Sequence, residues 1–319
     1  VKTIDNSETV MMNTKVVNYR ICCNLPKEIK LVDCQDPTTL MKAVKNETEL
    51  ENVRKAHLKD AVAMCKFMYW LKTNVGKIHM TELSVSKHLA ELRAEQEGFL
   101  DLSFETICGF ADHGAIVHYA ATPETDKEIR PESFLLVDSG GHYLEGTTDI
   151  TRTFALGEVT DEMRDMFTRV LRSNVSLASA RFRQGCCGLN FDILARAPFW
   201  DIDMDYNHGT GHGVGYVLNV HEGPNSFHWK AYPGRSADSE ILPGMITTDE
   251  PGVYLEGKFG IRTENELVAR LGNKNEYGQF MYFENLTYVP VDLDAVDPAM
   301  MTEAEKKYLN NYHTEVYKK

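Results

Sequence analysis

The order of helical and extended signals predicts an α+β protein with a largely antiparallel sheet. Helical stretches fall between groups of strand signals instead of alternating with them one for one, as a parallel sheet would require. The helices are marked by three-to-four apolar spacing and capping residues. The strands are marked by apolar runs or period-two alternation closed by Gly or Pro. At 319 residues the chain suits one large domain, or one large domain and a fragment.

The elements follow in order. Residues 1–40 alternate short apolar runs (Lys15 to Cys23, Glu28 to Val32) with turn-like breaks, and end at Asp36-Pro37. They predict short strands and loops with too little apolar surface for a core: the tail of a mostly absent preceding domain and its linker. The main domain is expected over 41–319. From Glu47 to Thr73, apolar residues recur at helical spacing (Leu50, Val53, Ala61, Cys65, Met68, Leu71). A second helix is expected from Thr81, which can cap it, to about Glu97. A third follows Thr160, with Asp161 and Glu162 where the helix dipole favours acids. A last helix opens with a capping box, Thr302 and Glu305. Strands are expected at Phe134 to Asp138, Thr148 to Phe154, Tyr216 to Val220, Met245 to Thr248, Ile261 to Val268 and Tyr282 to Val289.

Composition narrows the function classes. The chain is 43% apolar and 25% charged, and its formal net charge is −13. That charge repels nucleic acid and anionic lipid, so neither is an expected partner. No apolar run approaches the ~20 residues of a membrane span. The opening VKTIDNSETV has neither a basic stretch nor an apolar core, so no signal peptide is expected, and a start at Val suggests a fragment. The seven cysteines include two adjacent pairs and no C-x-x-C. Neither a disulfide framework nor a thiolate zinc site fits that spacing, and a reducing, cytoplasmic setting is expected.

Four segments carry chemistry. LLVDSGGHYLEGTTDITRTF places Asp138 and Asp149 on two strands joined through a Gly-containing turn region, where both acids can share one face. Each could equally be a local hydrogen-bonder of a Gly-rich turn. NHGTGHGVGYVLNVHEGP holds His208, His212 and His221 among glycines that let backbone approach a ligand. Glu250 follows an apolar strand and precedes Pro-Gly. Arg262 and Glu264 fall on one strand face by alternation, as a functional pair or a plain ion pair. Together these segments bring four carboxylates and an imidazole. Burying four acids uncompensated would cost many kcal/mol or drive their pKa values upward. Two divalent cations would offset the charge, Mn2+ first, with Co2+, Zn2+ or Fe2+ as substitutes. Such a pair is machinery for amide hydrolysis.

This set of ligands, in this order, resembles that of the pita-bread metallopeptidases. GAIVHYA, TTDITRTF, HGTGHGVGYVLNVHEGP, TDEPGVY, FGIRTEN and the closing YFENLTYVPVDLDAVD and MTEAEKKYLNNYH resemble the cytosolic-type Xaa-Pro aminopeptidases in particular. The resemblance runs from about Lys42 onward and implies a catalytic domain over 41–319. It implies a curved, largely antiparallel sheet covered by helices, a substrate with proline at its second position, and a homodimer. By the same resemblance, Asp149 and Glu264 bridge two metals, Asp138 binds one, and His212 and Glu250 bind the other. A hydroxide between the metals attacks the scissile carbonyl, with Glu250 as proton acceptor. His118 faces the substrate amine or the developing oxyanion, His221 donates to a substrate carbonyl, and His208 lines the proline pocket. Arg262 braces Glu264 or Asp149. Prolidase, with the same ligands, is the nearest alternative. A metal-free creatinase-like enzyme or a binding protein of the same fold is the other; methionine aminopeptidase fits the flanks of His208 and His221 less well.

Overall fold

The computed structural model describes residues 3–231 and 239–319. A short parallel pair, β1 (Thr9–Met12) and β2 (Lys30–Asp33), flanks α1 (Tyr19–Cys23) and leads to α2 (Pro37–Ala43). The run Lys15 to Cys23, expected to be strand or loop, thus ends in a helix, with Asn18 accepting from Arg20 N as its cap. Only Met12 among the apolar residues of β1, α1 and β2 is buried. α3 (Glu47–Asn74) starts on a full capping box: Glu49 N donates to Asn46 at 2.9 Å and Asn46 N to Glu49 at 2.8 Å. α4 (Glu82–Ala94) is capped by Thr81 and ends sooner than the periodicity suggested.

Strands β3 (Phe99–Leu102), β4 (Ile107–Phe110), β5 (Phe134–Ser139), β6 (Gly141–Tyr143), β7 (Gly146–Thr147) and β8 (Ile150–Ala155) follow. β5 lies between β4 and β8, antiparallel to both, and β6 pairs with β3 and β7. α3 and α4 cover the first group through Met64, Phe67, Leu71 and Leu89, packed with Leu135, Val137 and Phe154. Each such buried side chain contributes about 1.5–3 kcal/mol relative to exposure.

α5 (Asp161–Ala178), β9 (Arg181–Arg183), α6 (Asp192–Trp200), β10 (Gly211–His212) and β11 (Ser226–Phe227) come next. They are followed by β12 (Ile246–Asp249), β13 (Gly252–Leu255), β14 (Phe259–Arg262), β15 (Asn265–Asn275), β16 (Gly278–Asn285) and α7 (Glu303–Lys318). β12, β15, β16 and β9 form an antiparallel sheet in that order. α5 packs on the β13–β14 hairpin and against α7, in a core that includes Phe167, Val170, Leu309, Val253 and Ile261.

The antiparallel expectation holds for every ladder among the described residues except β1–β2, but the strands form several ladders, not one sheet. Two strand expectations need correction. Tyr216 to Val220 is a bend, because Gly215 N closes onto Asn219 O at 3.0 Å and Val217 takes a φ of 51°. Ile261 to Val268 is two strands: β14 pairs with β13 and β15 with β12, and the chain breaks at Thr263 and Glu264 between them. Arg262 and Glu264 therefore do not share one strand face. α6 carries Pro198 inside it and was not anticipated.

Candidate metal centre

Asp138 lies in β5 directly opposite Thr151 of β8. Paired residues project to the same side of a ladder, and alternation places Asp149 on the same side as Thr151. Both acids are thereby aimed at one place from neighbouring strands. The break before β15 brings Glu264 to them: Glu264 N donates to Thr151 O at 3.1 Å, and the Thr151 hydroxyl donates to the Glu264 carboxylate at 2.7 Å.

His212 and Glu250 arrive from the other side. His212 N donates to the Thr248 hydroxyl at 3.0 Å, and its Nδ1 donates to Gly213 O at 3.0 Å. That bond fixes the tautomer and leaves the lone pair of Nε2 free to accept or coordinate. Nε2 stands 3.4 Å from Asp149 Oδ2 and 3.6 Å from Glu250 Oε1. Glu250 is held by its own N–H to Thr210 O at 2.8 Å. Gly211 has to be glycine here, since a Cβ on it would fall 1.8 Å from Thr248 O.

The five sequence candidates thus converge. Their ligand atoms form overlapping groups within 4.8 Å: Asp138, Asp149 and Glu264; then His212, Glu250 and Glu264; and also Asp149, His212 and His221. His221 was expected to stand apart from the ligands, yet it belongs to one group and its ring lies 4.1 Å from that of His212. Burial raises the Asp149 and Glu264 carboxyls well above their usual range, and their acidic neighbours add to it. Glu250 is raised by burial first, with His212 and Arg262 opposing. Asp138 Oδ1 is buried and has no hydrogen-bond partner. Crowded acids, an orphaned carboxylate oxygen and an oriented imidazole fit divalent cations.

Arg262 differs from expectation. It donates through Nη2 to Asp138 at 2.6 Å, through Nη1 to the Tyr254 hydroxyl at 2.7 Å and through Nε to Thr151 at 3.1 Å. Its direct acidic partner is therefore Asp138, and Glu264 is reached only through the Thr151 hydroxyl. His208 donates from Nδ1 to Gly209 O at 2.7 Å and accepts at Nε2 from Tyr254 at 2.9 Å. Burial first, then Arg262, pushes its pKa down to about 3, so the ring stays neutral. His118 is exposed on a loop and lines the same cavity, outside the ligand groups.

The cavity measures about 700 Å³, with the acid cluster and Arg262 in its wall and Phe104, Ile107 and Val117 supplying apolar surface. Sequence reasoning missed Thr151 and Tyr254. Thr151 was within reach, two positions after Asp149 on an alternating strand; Tyr254 shows its role only through the contact to Arg262.

Comparison with known proteins agrees with this geometry. The model of metallopeptidase family M24 matches residues 51–270, and that of the C-terminal region of peptidase M24 matches 279–319. Aminopeptidase P2 of Arabidopsis thaliana is 42% identical over 289 residues, covering 89% of this chain and 40% of that protein. A probable Xaa-Pro aminopeptidase P of Paracoccidioides brasiliensis is 40% identical over 295 residues, covering 91% and 47%. The chain thus spans about half the length, or less, of these relatives. Among solved structures, an X-prolyl aminopeptidase from Caenorhabditis elegans, described as a cytosolic enzyme with a di-nuclear active site, superposes with a TM-score of 0.90 at 33% identity. It is covered over 50% of its length by 97% of this chain. Prolidase from Pyrococcus furiosus shares the pita-bread fold, with a TM-score of 0.71 at 23% identity over 88% of this chain and 76% of its own.

Proposed function

The chain belongs to metallopeptidase family M24, and on that premise we propose that it is a Xaa-Pro aminopeptidase, releasing the residue that precedes a proline at position two. One observation carries the reading: Asp149, His212 and Glu264 each sit in two of the overlapping ligand groups, and of these three only the carboxylates of Asp149 and Glu264 have the two oxygens that a bridging ligand needs. Asp138 would complete one cation site, and His212 with Glu250 the other. The aminopeptidase P relatives support the aminopeptidase reading. Two divalent cations, Mn2+ first and Co2+, Zn2+ or Fe2+ as substitutes, would supply a water of lowered pKa and polarise a carbonyl oxygen.

The chain's own residues do the remaining work. Glu250 takes the proton of the attacking water and returns it to the departing prolyl nitrogen. His221, on the exposed loop beside His212, donates to a substrate carbonyl; His118 faces the amine end. Neutral His208, hydrogen-bonded to Tyr254, lines the pocket for the proline ring. A prolyl nitrogen carries no hydrogen, so the site must read the ring by shape and the flanking carbonyls by donors. Arg262 holds Asp138 in place. Residues 41–319 make up the catalytic domain, and residues 1–40 contribute nothing to the described cavity lining.

Prolidase activity would require a cation for the free carboxylate of a dipeptide. Among the described lining residues Arg262 is the only Lys or Arg, and its Nε, Nη1 and Nη2 are all engaged. That favours the aminopeptidase. The test is release of the first residue by metal-loaded protein from Xaa-Pro-Xaa, Xaa-Pro and Xaa-Ala-Xaa peptides. Turnover of the proline tripeptide ahead of the other two is expected. Cleavage of the dipeptide alone would make it a prolidase, and no cleavage of any would reject the reading.

A further inference from the structure

The loop that carries His118 is fastened to a single buried acid. Glu82, the first residue of α4, is 0% exposed and does not line the cavity. Its carboxylate accepts from Phe110 N at 2.8 Å, Tyr119 Oη at 2.9 Å and Lys127 N at 3.1 Å, and faces His113 Nδ1 at 2.9 Å. Every one of these partners belongs to the segment 110–127. The backbone adds to the grip, since Glu82 N donates to Lys127 O at 3.1 Å and Leu83 N to the Asp126 side chain at 3.0 Å.

Between the fastened ends, Val117, His118, Tyr119 and Ala120 form cavity wall. The second residue of the segment, Ala111, takes a φ of 51°, a conformation that costs a residue with a Cβ about 1 kcal/mol or more and persists only where surroundings enforce it. Phe110, whose N–H is bound to Glu82, immediately precedes it. Tyr119 is the neighbour of His118 in the chain. Burial first pushes its phenol up to about 12, so it remains a donor to the Glu82 carboxylate.

We propose that Glu82 is a positioning residue for the peptidase reaction: its carboxylate, through Tyr119 and both ends of the 110–127 segment, sets where the His118 imidazole stands at the cavity wall. The inference rests on the aminopeptidase reading for its catalytic consequence. Glu82 touches neither the cavity nor the cation ligands, and in the wall segment Val117–Ala120 the Tyr119 hydroxyl is held by Glu82 while Val117 and Ala120 are apolar, which leaves the His118 imidazole as the polar side chain through which its effect is transmitted. Glu82→Gln keeps the side chain's size but replaces one acceptor oxygen with a donor that must face another donor. The loop then has to shift, and displacement of a contacting group by about 1 Å can lower turnover by as much as ~10²-fold.

The experiment is a double-mutant cycle on the metal-loaded chain with an Xaa-Pro-Xaa peptide. Glu82→Gln is expected to lower kcat/KM by about 10- to 100-fold at unchanged metal content, and to have no further effect in a His118→Ala background. Additive losses in the cycle would overturn the proposal. Tyr119→Phe removes only the hydroxyl that reaches Glu82 and serves as the second arm should Glu82→Gln not fold. It should give a smaller loss that likewise vanishes in the His118→Ala background. A readout independent of turnover is taken on the same proteins: the His118 ring resonance should move in Glu82→Gln or Tyr119→Phe while that of His88 stays put. An unmoved His118 resonance overturns the proposal whether or not the chain is active. A moved resonance in a chain that cleaves no Xaa-Pro peptide overturns only the aminopeptidase reading.

Discussion

Arg262 is 1% exposed and stays charged because three oxygens surround it. A lysine there could meet one of them but not the planar fan of all three. Arg262→Lys is therefore expected to lower cation affinity or activity by about 10- to 100-fold, the usual scale for a group that orients a ligand. Equal affinity in metal titration would show that Asp138 needs no such support. For the shared ligands the prediction is stronger: Asp149→Ala or Glu264→Ala should lose both bound cations and all measurable turnover. Stoichiometric metal in either purified variant would refute the bridging assignment. His221→Ala tests the ligand group that sequence reasoning left out; retained metal with reduced turnover is expected, and lost metal would make His221 a ligand. His208 bears on pH. Its ring titrates near 6.5 when unfolded but near 3 when folded. Between those values the unfolded chain takes up a proton that the native protein refuses, so stability falls as pH drops through that window. The denaturation midpoint of His208→Phe should change less than that of the parent between pH 7 and pH 5.

At the scale of elements, helix starts were the most legible part of the sequence. Thr81, Thr160 and Thr302 with Glu305 cap where they were expected to, and Asn46 with Glu49, which the sequence reading did not single out, caps α3 in the same way. Removing a cap by Asn46→Ala or Thr302→Ala should cost about 1 kcal/mol, read from urea unfolding. Phe67→Ala, in the buried face of α3, should cost about 3–5 kcal/mol. Strand ends were less legible because pairing partners decide them. The apolar run around Ile261 looks continuous, yet its halves pair with different strands, and Glu264 reaches the cluster only because of that interruption. α6 escaped notice because its reasons are tertiary: Arg196 is buried and bonds Asp192, Asp205, Tyr206 O and His208 O. The five converging candidates were legible as residue types in Gly- and Pro-marked contexts. Thr151 was within reach through its spacing from Asp149, whereas Tyr254 and Glu82 were not, since their roles rest on the hairpin register that faces Tyr254 to Arg262 and on partners 28 to 45 residues from Glu82.

For the molecule as a whole, cations and protons compete for the same cluster. Without cations, Asp149, Glu250 and Glu264 have folded pKa values above their unfolded ones. The native state then holds protons that the unfolded chain has already released, and stability declines as pH rises from about 4 through the raised values. Bound cations remove that penalty and displace those protons. The gap in melting temperature between Mn2+-loaded and chelated protein should therefore widen from pH 5 to pH 8. A free cation at 100 times its Kd adds about 2.7 kcal/mol per site. A gap that is constant or shrinks with pH would mean that the acids do not bind the ions.

The candidate ligands are spread widely along the chain, from Asp138 to Glu264. Each ligand group joins a residue before Ala155 to one after it, or lies wholly beyond it, so none can close until His212, Glu250 or Glu264 has been synthesised and docked. A nascent or clipped chain lacking its last third would expose acids without a pocket. On the proposed assignment, capture of a cation would report that the late strands have reached their places.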